Sequence, residues 1–105
     1  MHKLVVMYPQ PLDGQKFMDY YEGHHLPKVK DLPGLISAEY GRNDDPEASV
    51  FVMFTALFAD KASMESALRS DVGVVLAKDI PNLSPDGVTM MSLPASQVFA
   101  AESNS

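Results

Sequence analysis

The chain of 105 residues contains no cysteine and no tryptophan. Without cysteine there are no disulfide bonds, no thiolate nucleophiles and no metal sites built on sulfur. Basic residues are also few, since eight Lys and Arg stand against fourteen Asp and Glu and give a formal net charge of −6. A negative surface repels phosphate backbones, so we expect no nucleic-acid partner. Any chemistry must rest on histidine, carboxylate, tyrosine or serine side chains, or on a borrowed cofactor.

Long apolar runs and cofactor motifs are missing as well. The most apolar segment, residues 50–59, has about half the roughly 20 residues that a membrane-spanning helix needs. Residues 1–3 lead straight into a strand pattern, without the apolar region of a signal peptide. We therefore expect no membrane partner and a cytoplasmic location. The sequence has no P-loop, GxGxxG or GxSxG motif, and we expect no bound cofactor.

Alternating apolar residues and turn signals predict one α+β domain over residues 1–94. The predicted elements are a strand at 3–8, a helix after residue 13, strands at 35–40 and 49–58, helices from 61 and over 71–80, and a strand at 88–93. This order, βαββαβ, is the ferredoxin-like arrangement, an antiparallel four-stranded sheet with its helices on one face. Residues 95–105, rich in Ala and Ser, form a C-terminal tail that is either frayed or docked on a partner.

Caps and prolines set the predicted ends of the helices. Asp13 and Asp60 are favourable N-caps, and Leu12 and Phe17 have the spacing of a hydrophobic staple. Pro27 should kink or break the first helix, because its ring meets the carbonyl group four residues before it. Pro81 is expected to end the last helix for the same reason.

The predicted third strand is apolar on both faces. The residues on its two faces are Val50, Val52, Phe54, Ala56 and Phe58 on one, and Ser49, Phe51, Met53, Thr55 and Leu57 on the other. Two helices cover only one face of a sheet, and soluble monomers rarely expose an apolar patch beyond a few hundred Å². We therefore expect a homodimer in which two sheets face each other. A space between helices and sheet in each subunit would hold a small hydrophobic ligand.

Two adjacent histidines, His24 and His25, lie at the predicted kink. Neighbouring residues on a helix point about 100° apart and no third ligand is in sight, so we expect no metal site. One imidazole could instead act as a general acid or base near neutral pH. Tyr21 and Glu22 precede His25 by four and three residues, and either could orient its ring. The alternative is that His25 is an ordinary helix-end histidine and that His24 is solvated.

Aromatic and sulfur-containing side chains are candidates for the lining of the ligand space. The predicted pocket-lining residues are His24, Phe17, Tyr8, Met53 and Phe54. Aromatic rings and methionine also fill ordinary cores, which is the alternative role for each of them.

Three motifs resemble the EthD-like family, which is named for ethyl tert-butyl ether degradation. They are YYEGHHLP at residues 20–27, LPGL at 32–35, and SDVG with KD at 70–73 and 78–79. The resemblance spans roughly residues 3–93 and implies a dimeric α+β barrel. The residues at family positions are Tyr21, His25, Pro27, Pro33 and Gly34, which favours His25 over His24 for a pocket-lining role.

The resemblance implies no single reaction, because the dimeric barrels include cofactor-free monooxygenases, cyclases, lactone isomerases and haem-binding enzymes. Our first hypothesis is a small catabolic enzyme for an apolar or aromatic carbonyl-type metabolite, with His25 transferring a proton and Tyr21 positioning His25 or the substrate. The second is a non-catalytic accessory or ligand-binding protein of a degradation operon that uses the same pocket. The third is haem- or metal-dependent chemistry with His25 as an axial ligand.

Overall fold

Strands and helices follow one another in the predicted order in the computed structural model, which describes residues 1–101. The elements are β1 (His2–Pro9), α1 (Gly14–Tyr20), a π-helical turn (Tyr21–His25), α2 (Leu26–Val29), β2 (Ser37–Arg42), β3 (Val50–Phe58), α3 (Lys61–Arg69), α4 (Asp71–Leu83) and β4 (Thr89–Pro94). The end of the predicted tail, residues 102–105, lies outside the described residues.

The four strands form one antiparallel sheet in the order β2-β3-β1-β4. The central strand β1 pairs with β3 on one side and with β4 on the other, so that Val5 lies between Thr55 and Met91. A four-stranded antiparallel sheet in this order, with βαββαβ connectivity, is the ferredoxin-like fold. The predicted fold class is confirmed.

The core lies between the sheet and the helices. Successive side chains of a strand point to opposite faces, so every second residue of β1 and β3 points toward the helices. The buried strand residues of the core are Leu4, Val6, Tyr8, Val52, Phe54, Ala56 and Phe58. The opposite face, which we call the open face, carries Val5, Met53, Met91 and Leu93, and no helix of residues 1–101 covers it.

A bulge in β3 changes the predicted face of one aromatic residue. The register between β1 and β3 shifts between Tyr8 and Pro9, where β3 contains an extra residue. Phe51 is buried there, and its ring centroid lies 5.4 Å from that of Phe17 on α1. The prediction that Phe51 shares a face with Met53 is wrong, because a bulge redirects the side chains beside it.

The N-caps of the helices are formed as the sequence predicts, but the staple is not. The Asp13 side chain accepts a hydrogen bond from the Lys16 backbone N–H at 3.1 Å, and the same side-chain cap recurs at Asp60. Leu12 is fully exposed, whereas Phe17 packs edge-on against Tyr8. The predicted contact between Leu12 and Phe17 is wrong, because aromatic rings of the core already surround Phe17.

The last helix continues past its proline. Helix α4 runs to Leu83 with Pro81 inside it, so the prediction that Pro81 ends the helix is wrong. The Ser84 N–H donates to the Ile80 carbonyl at 2.8 Å and closes the final turn behind the proline. A proline this close to the end removes one hydrogen bond without stopping the helix.

None of the helices within residues 1–101 is long and apolar enough to cross a membrane.

Candidate functional site

The helical segment that carries the adjacent histidines is wound as a π-turn. The backbone N–H of Leu26 donates to the carbonyl of Tyr21, five residues before it. Pro27 follows in the first turn of α2, where its missing N–H is tolerated. The chain therefore stays helical where a kink or break was expected. The wider turn buries both Tyr21 and His25 and leaves His24 at the surface.

The buried imidazole of His25 pairs with a carboxylate from the second half of the chain. Its Nδ1 lies 2.8 Å from Oδ2 of Asp79, and the two side chains are 8% and 9% exposed. Oδ1 of Asp79 accepts hydrogen bonds from the Tyr20 hydroxyl at 2.5 Å and from Nδ2 of Asn82 at 3.1 Å. Oδ1 is thus bound by residues of α1 and α4, and Oδ2 is bound by His25 of the π-helical turn.

Asp79 is ionised at neutral pH. Burial alone would raise the pKa of Asp79, but hydrogen bonds from Tyr20, Asn82 and His25, together with the charge of His25, outweigh burial and lower the pKa to about 2. An ionised carboxylate only accepts hydrogen bonds, so Nδ1 of His25 carries a proton. In the neutral form of the ring, the free lone pair is therefore on Nε2.

A cavity of about 100 Å³ lies between the sheet and the helices, beside His25. Its walls are mostly aliphatic and aromatic, with Val6, Phe54 and Leu76 among them, and its polar side chains are His25, Tyr8 and Tyr21. Nε2 of His25 has no hydrogen-bond partner within residues 1–101. The atom is not fully enclosed and keeps some accessible surface. His25 is thus one of three polar side chains in the lining of a mostly apolar space.

Aromatic rings stack around the imidazole. The Tyr21 ring is nearly parallel to that of His25, with centroids 5.6 Å apart, and Tyr8 meets Tyr21 edge-on at 5.4 Å. Tyr21 therefore contacts His25 through its ring face, while Asp79 provides the hydrogen bond. The carboxylate of Glu22, the other residue considered for orienting His25, instead accepts from the Tyr40 hydroxyl at 2.5 Å.

The predicted pocket-lining residues fall into two groups. Tyr8 and Phe54 line the cavity, and Phe17 lies in the aromatic cluster behind it. His24 is exposed and packs on the Tyr20 ring, with centroids 5.0 Å apart. Met53 lies on the open face, because it is next to Phe54 and neighbouring strand residues point to opposite sides. His24 and Met53 therefore do not line this cavity.

The sequence did not identify Asp79, Tyr20 or Asn82 as residues of the site, although Tyr20 and Asp79 lie within the YYEGHHLP and KD motifs. One local signal points to Asp79, because it follows Leu76 by three residues on the buried side of α4. A carboxylate at an inward position of an amphipathic helix needs a partner.

A haem does not fit this site. A cavity of about 150 Å³ accommodates benzene, and the space beside His25 is smaller than that. In the described part of the chain, no three His, Asp or Glu side chains converge on a position that could hold a metal ion.

No family model matches the chain. It is 28% identical over 94 residues to an "uncharacterized 11.0 kDa protein in thcB-thcC intergenic region" of Rhodococcus erythropolis, a match that covers 87% of this chain and 91% of that protein. An EthD family protein of Bacillus halodurans has a crystal structure that is similar at a TM-score of 0.85 and 29% identity, covering 91% of this chain and 99% of that one.

More distant structures share the fold alone. The cofactor-independent oxygenase SnoaB of Streptomyces nogalater matches with a TM-score of 0.73 at 14% identity, over 95% of this chain and 97% of that one. A dimeric protein of unknown function from Bacteroides fragilis with a ferredoxin-like fold matches with a TM-score of 0.69 at 11% identity, over 88% and 93% of the two chains. With the EthD family match at 29% identity, the resemblance that the sequence motifs indicate is confirmed: the chain is similar to an EthD family protein and has a ferredoxin-like fold.

Proposed function

We propose that this protein is an enzyme in which His25 transfers a proton to and from a small hydrophobic metabolite. The observation that carries the proposal is the 2.8 Å contact between Nδ1 of His25 and Oδ2 of Asp79, beside an apolar cavity. A buried carboxylate that holds Nδ1–H fixes the tautomer of the ring and stabilises the imidazolium that forms when Nε2 takes a proton. His25 is the catalytic residue, and Asp79 is its positioning residue.

The proposed reaction begins at Nε2. The nitrogen removes a proton from a C–H or O–H group of the bound molecule, and the imidazolium then returns the proton at the same or another position. Tyr20 and Asn82 restrain the Asp79 carboxylate while the charge on His25 changes.

The cavity limits what can be bound. Because about 100 Å³ is less than the space that holds benzene, the enclosed part admits a small molecule or the reacting end of a larger one. The aliphatic lining favours an apolar molecule. Met90, which is half exposed, is part of the lining and marks the side where a longer ligand would leave the cavity.

Hydrogen–deuterium exchange at carbon tests this proposal across several classes of candidate substrate at once. A panel of small apolar ketones, lactones and phenols is incubated with the protein in D2O, and deuterium incorporation is followed by NMR. We expect His25→Gln to lower the exchange rate by roughly 100-fold or more, which is the usual contribution of a general base. His24→Gln is the matched control, because it changes the neighbouring but exposed histidine, and it should exchange like the wild type.

The same experiment tests the accessory alternative. A wild-type protein that binds panel members but exchanges no proton would contradict the enzymatic proposal and support a carrier that uses the same cavity. Exchange that survives in His25→Gln would also contradict the role given to His25.

We further propose that the protein is a homodimer that pairs through its open faces. Met53, Met91 and Leu93 on this face are 48%, 50% and 44% exposed, and the helices lie on the other side of the sheet. The match from Bacteroides fragilis is described as dimeric, which supports a dimer here. The cytoplasmic location stays a prediction.

A further inference from the structure

We infer that the hydroxyl groups of Tyr8 and Tyr21 together bind the oxygen of an enolate, and that the substrate is a small uncharged carbonyl compound with a C–H bond next to its carbonyl group. The inference rests on the proposed function, because His25 would remove the proton that generates the enolate. It adds the chemical class of the substrate and the residues that recognise its oxygen.

The four tyrosines of the chain divide into two pairs by what their hydroxyls contact. Tyr20 donates to Asp79 and Tyr40 donates to Glu22, each at 2.5 Å. Tyr8 and Tyr21 have no such acceptor within residues 1–101, although they are only 2% and 1% exposed. A buried hydroxyl normally has a hydrogen-bond partner, so the lack of one at both residues requires an explanation.

The cavity supplies that explanation. Both tyrosines line it, beside His25. Over residues 1–101, the sole fully enclosed side-chain N or O atom without a partner is Nε2 of His2, so the Tyr8 and Tyr21 hydroxyls each keep some accessible surface. Because the two tyrosine side chains are otherwise buried, we assign the accessible surface of their hydroxyls to the cavity. A bound oxygen atom would give both hydroxyls their missing partner.

Both hydroxyls are donors at neutral pH. Burial, with a smaller contribution from the charge of Asp79, raises the pKa of Tyr8 to about 12. Burial also raises the pKa of Tyr21, and the neighbouring Tyr8 and Tyr40 raise it further. A pair of protonated phenols in an apolar space is suited to an oxygen that becomes negative during the reaction, because fixed donors in such surroundings stabilise developing charge.

The proposed step balances without a co-reactant. Nε2 of His25 takes the proton from the carbon next to the carbonyl, and the C–H electron pair forms a C=C bond. The π pair of the carbonyl moves onto its oxygen, to which the O–H groups of Tyr8 and Tyr21 donate. The imidazolium, paired with Asp79, then returns the proton to carbon, so the overall result is exchange or isomerisation of the carbonyl compound.

The lining also restricts the substituents of the substrate. It contains no Lys, Arg, Asp or Glu side chain, and Asp79, which binds the lining residue His25, is also engaged by Tyr20 and Asn82. An ionised group on the substrate would lose its hydration without gaining a partner there. The bound carbonyl compound should therefore be uncharged before proton removal.

Binding of pentane-2,4-dione tests the hydroxyl pair, because its enolate and its neutral forms differ in near-ultraviolet absorption. We expect the wild type to bind it as the enolate. Tyr8→Phe and Tyr21→Phe should each weaken enolate binding by roughly ten- to hundredfold, as expected for a lost hydrogen bond to a charged group. Binding of pentan-2-one, which has the same carbon chain and stays neutral, should weaken much less, because a hydrogen bond to a neutral carbonyl oxygen is weaker than one to a charged oxygen. Tyr40→Phe is the matched control and should bind the enolate like the wild type.

Several outcomes would overturn the inference. These are a wild type that binds only the neutral dione or neither ligand, Phe variants that keep full enolate affinity, and Phe variants that lose the ketone and the enolate equally. If a Phe variant does not fold, the wild type labelled with 3-fluorotyrosine replaces it. Enolate binding must then shift the 19F signals of Tyr8 and Tyr21 more than that of Tyr40, and equal shifts would overturn the inference.

His25→Gln separates this inference from the proposed function. The variant should lose proton exchange and still bind the enolate through the two tyrosines. If exchange persists in His25→Gln, the role of His25 fails while the tyrosine pair stands. If enolate binding does not depend on Tyr8 and Tyr21 but exchange depends on His25, the proposed function stands and the inference fails.

Discussion

Asp79 gives the buried His25 ring a fixed hydrogen-bond partner. Its carboxylate binds His25 at Nδ1, and Tyr20 and Asn82 restrain it from the other side. A buried carboxylate that has lost its water is stable only when such donors surround it. The same contacts that orient the imidazole therefore connect folding stability to the protonation of one acid.

This connection predicts an acid-sensitive term in the stability of the protein. The pKa of Asp79 lies near 2 in the folded state, against an ordinary value of 3.8. Because folding lowers the pKa, the stabilisation is fully present above about pH 5 and is lost as the pH falls through 3.8 toward 2. The contribution of the ionised Asp79 carboxylate to the free energy of unfolding should be about 2 kcal/mol. Urea unfolding of wild type and Asp79→Asn at pH 7, 4 and 2.5 measures it.

In that comparison, the difference between the wild type and Asp79→Asn should shrink as the pH falls. Asp44→Asn changes an exposed turn carboxylate and serves as the control, which should follow the wild type at each pH. A difference that stays constant between pH 7 and 2.5 would show that the charge of Asp79 is not what stabilises the fold.

At the residue scale, the sequence predicted one half of this pair. His25 is conspicuous because it follows His24 and belongs to the YYEGHHLP motif. Asp79 is 54 residues away, and no local pattern connects two side chains across that distance. The Tyr8 and Tyr21 hydroxyls could not be predicted either, because whether they have a partner depends on how the helices pack.

Among the elements, α4 is packed unusually closely against the end of α3. A Cβ atom at Gly73 would lie 2.3 Å from the backbone carbonyl oxygen of Ala67 and 2.6 Å from that of Leu68. No methyl group fits at those distances, so the two helices can meet there only through glycine. Gly73 also lines the cavity, and this contact helps to set the position of the helix that carries Asp79.

We expect Gly73→Ala to destabilise the protein by at least about 1–3 kcal/mol, which is typical of overpacking against an unyielding neighbour. Gly23→Ala is the matched control, because no atom outside the helix lies within 4 Å of a Cβ there. A helical Gly→Ala change without a clash is neutral or stabilises by a few tenths of a kcal/mol to about 1. Thermal unfolding of both variants measures the contrast, and equal melting temperatures would contradict the packing argument.

The sequence predicted the order of the elements better than their irregularities. Alternation and caps were sufficient for the strands and for Asp13 and Asp60, because each depends on residues close in sequence. Pro27 indicated that the first helix is irregular, but the π-turn also requires Tyr21 and His25 to be buried together. The bulge at Phe51 likewise depends on pairing with β1, which lies far away in the chain.

At the scale of the whole molecule, the two faces of the sheet differ in what covers them. The helices lie against one face, and the open face presents exposed methionine and leucine side chains. A depression of about 450 Å³ lies on the same side, bordered by Lys3, Leu57 and the first residues after β4. A second copy packed on this face would bury all of these groups, whereas the cavity beside His25 lies on the other side of the sheet.

We therefore expect the wild type to sediment as a dimer at micromolar concentration. Met53→Asp and Met91→Asp should each shift it to monomer, because an interface through the open face would bury the new charge without a partner. Val74→Asp is the control, since Val74 is exposed on α4, away from the sheet. Analytical ultracentrifugation decides the matter. A monomeric wild type, or dimers of all three variants, would reject pairing through the open face.

The pairing of His25 with Asp79 joins the two βαβ halves of the chain. Tyr20 and His25 come from the first half, and Asp79 and Asn82 come from the second. An intermediate in which only one half is structured would contain an imidazole without its anion and an acid without its donors. During refolding, proton transfer by His25 should therefore recover last, after the two halves have docked. The time course of that recovery would report when docking is complete.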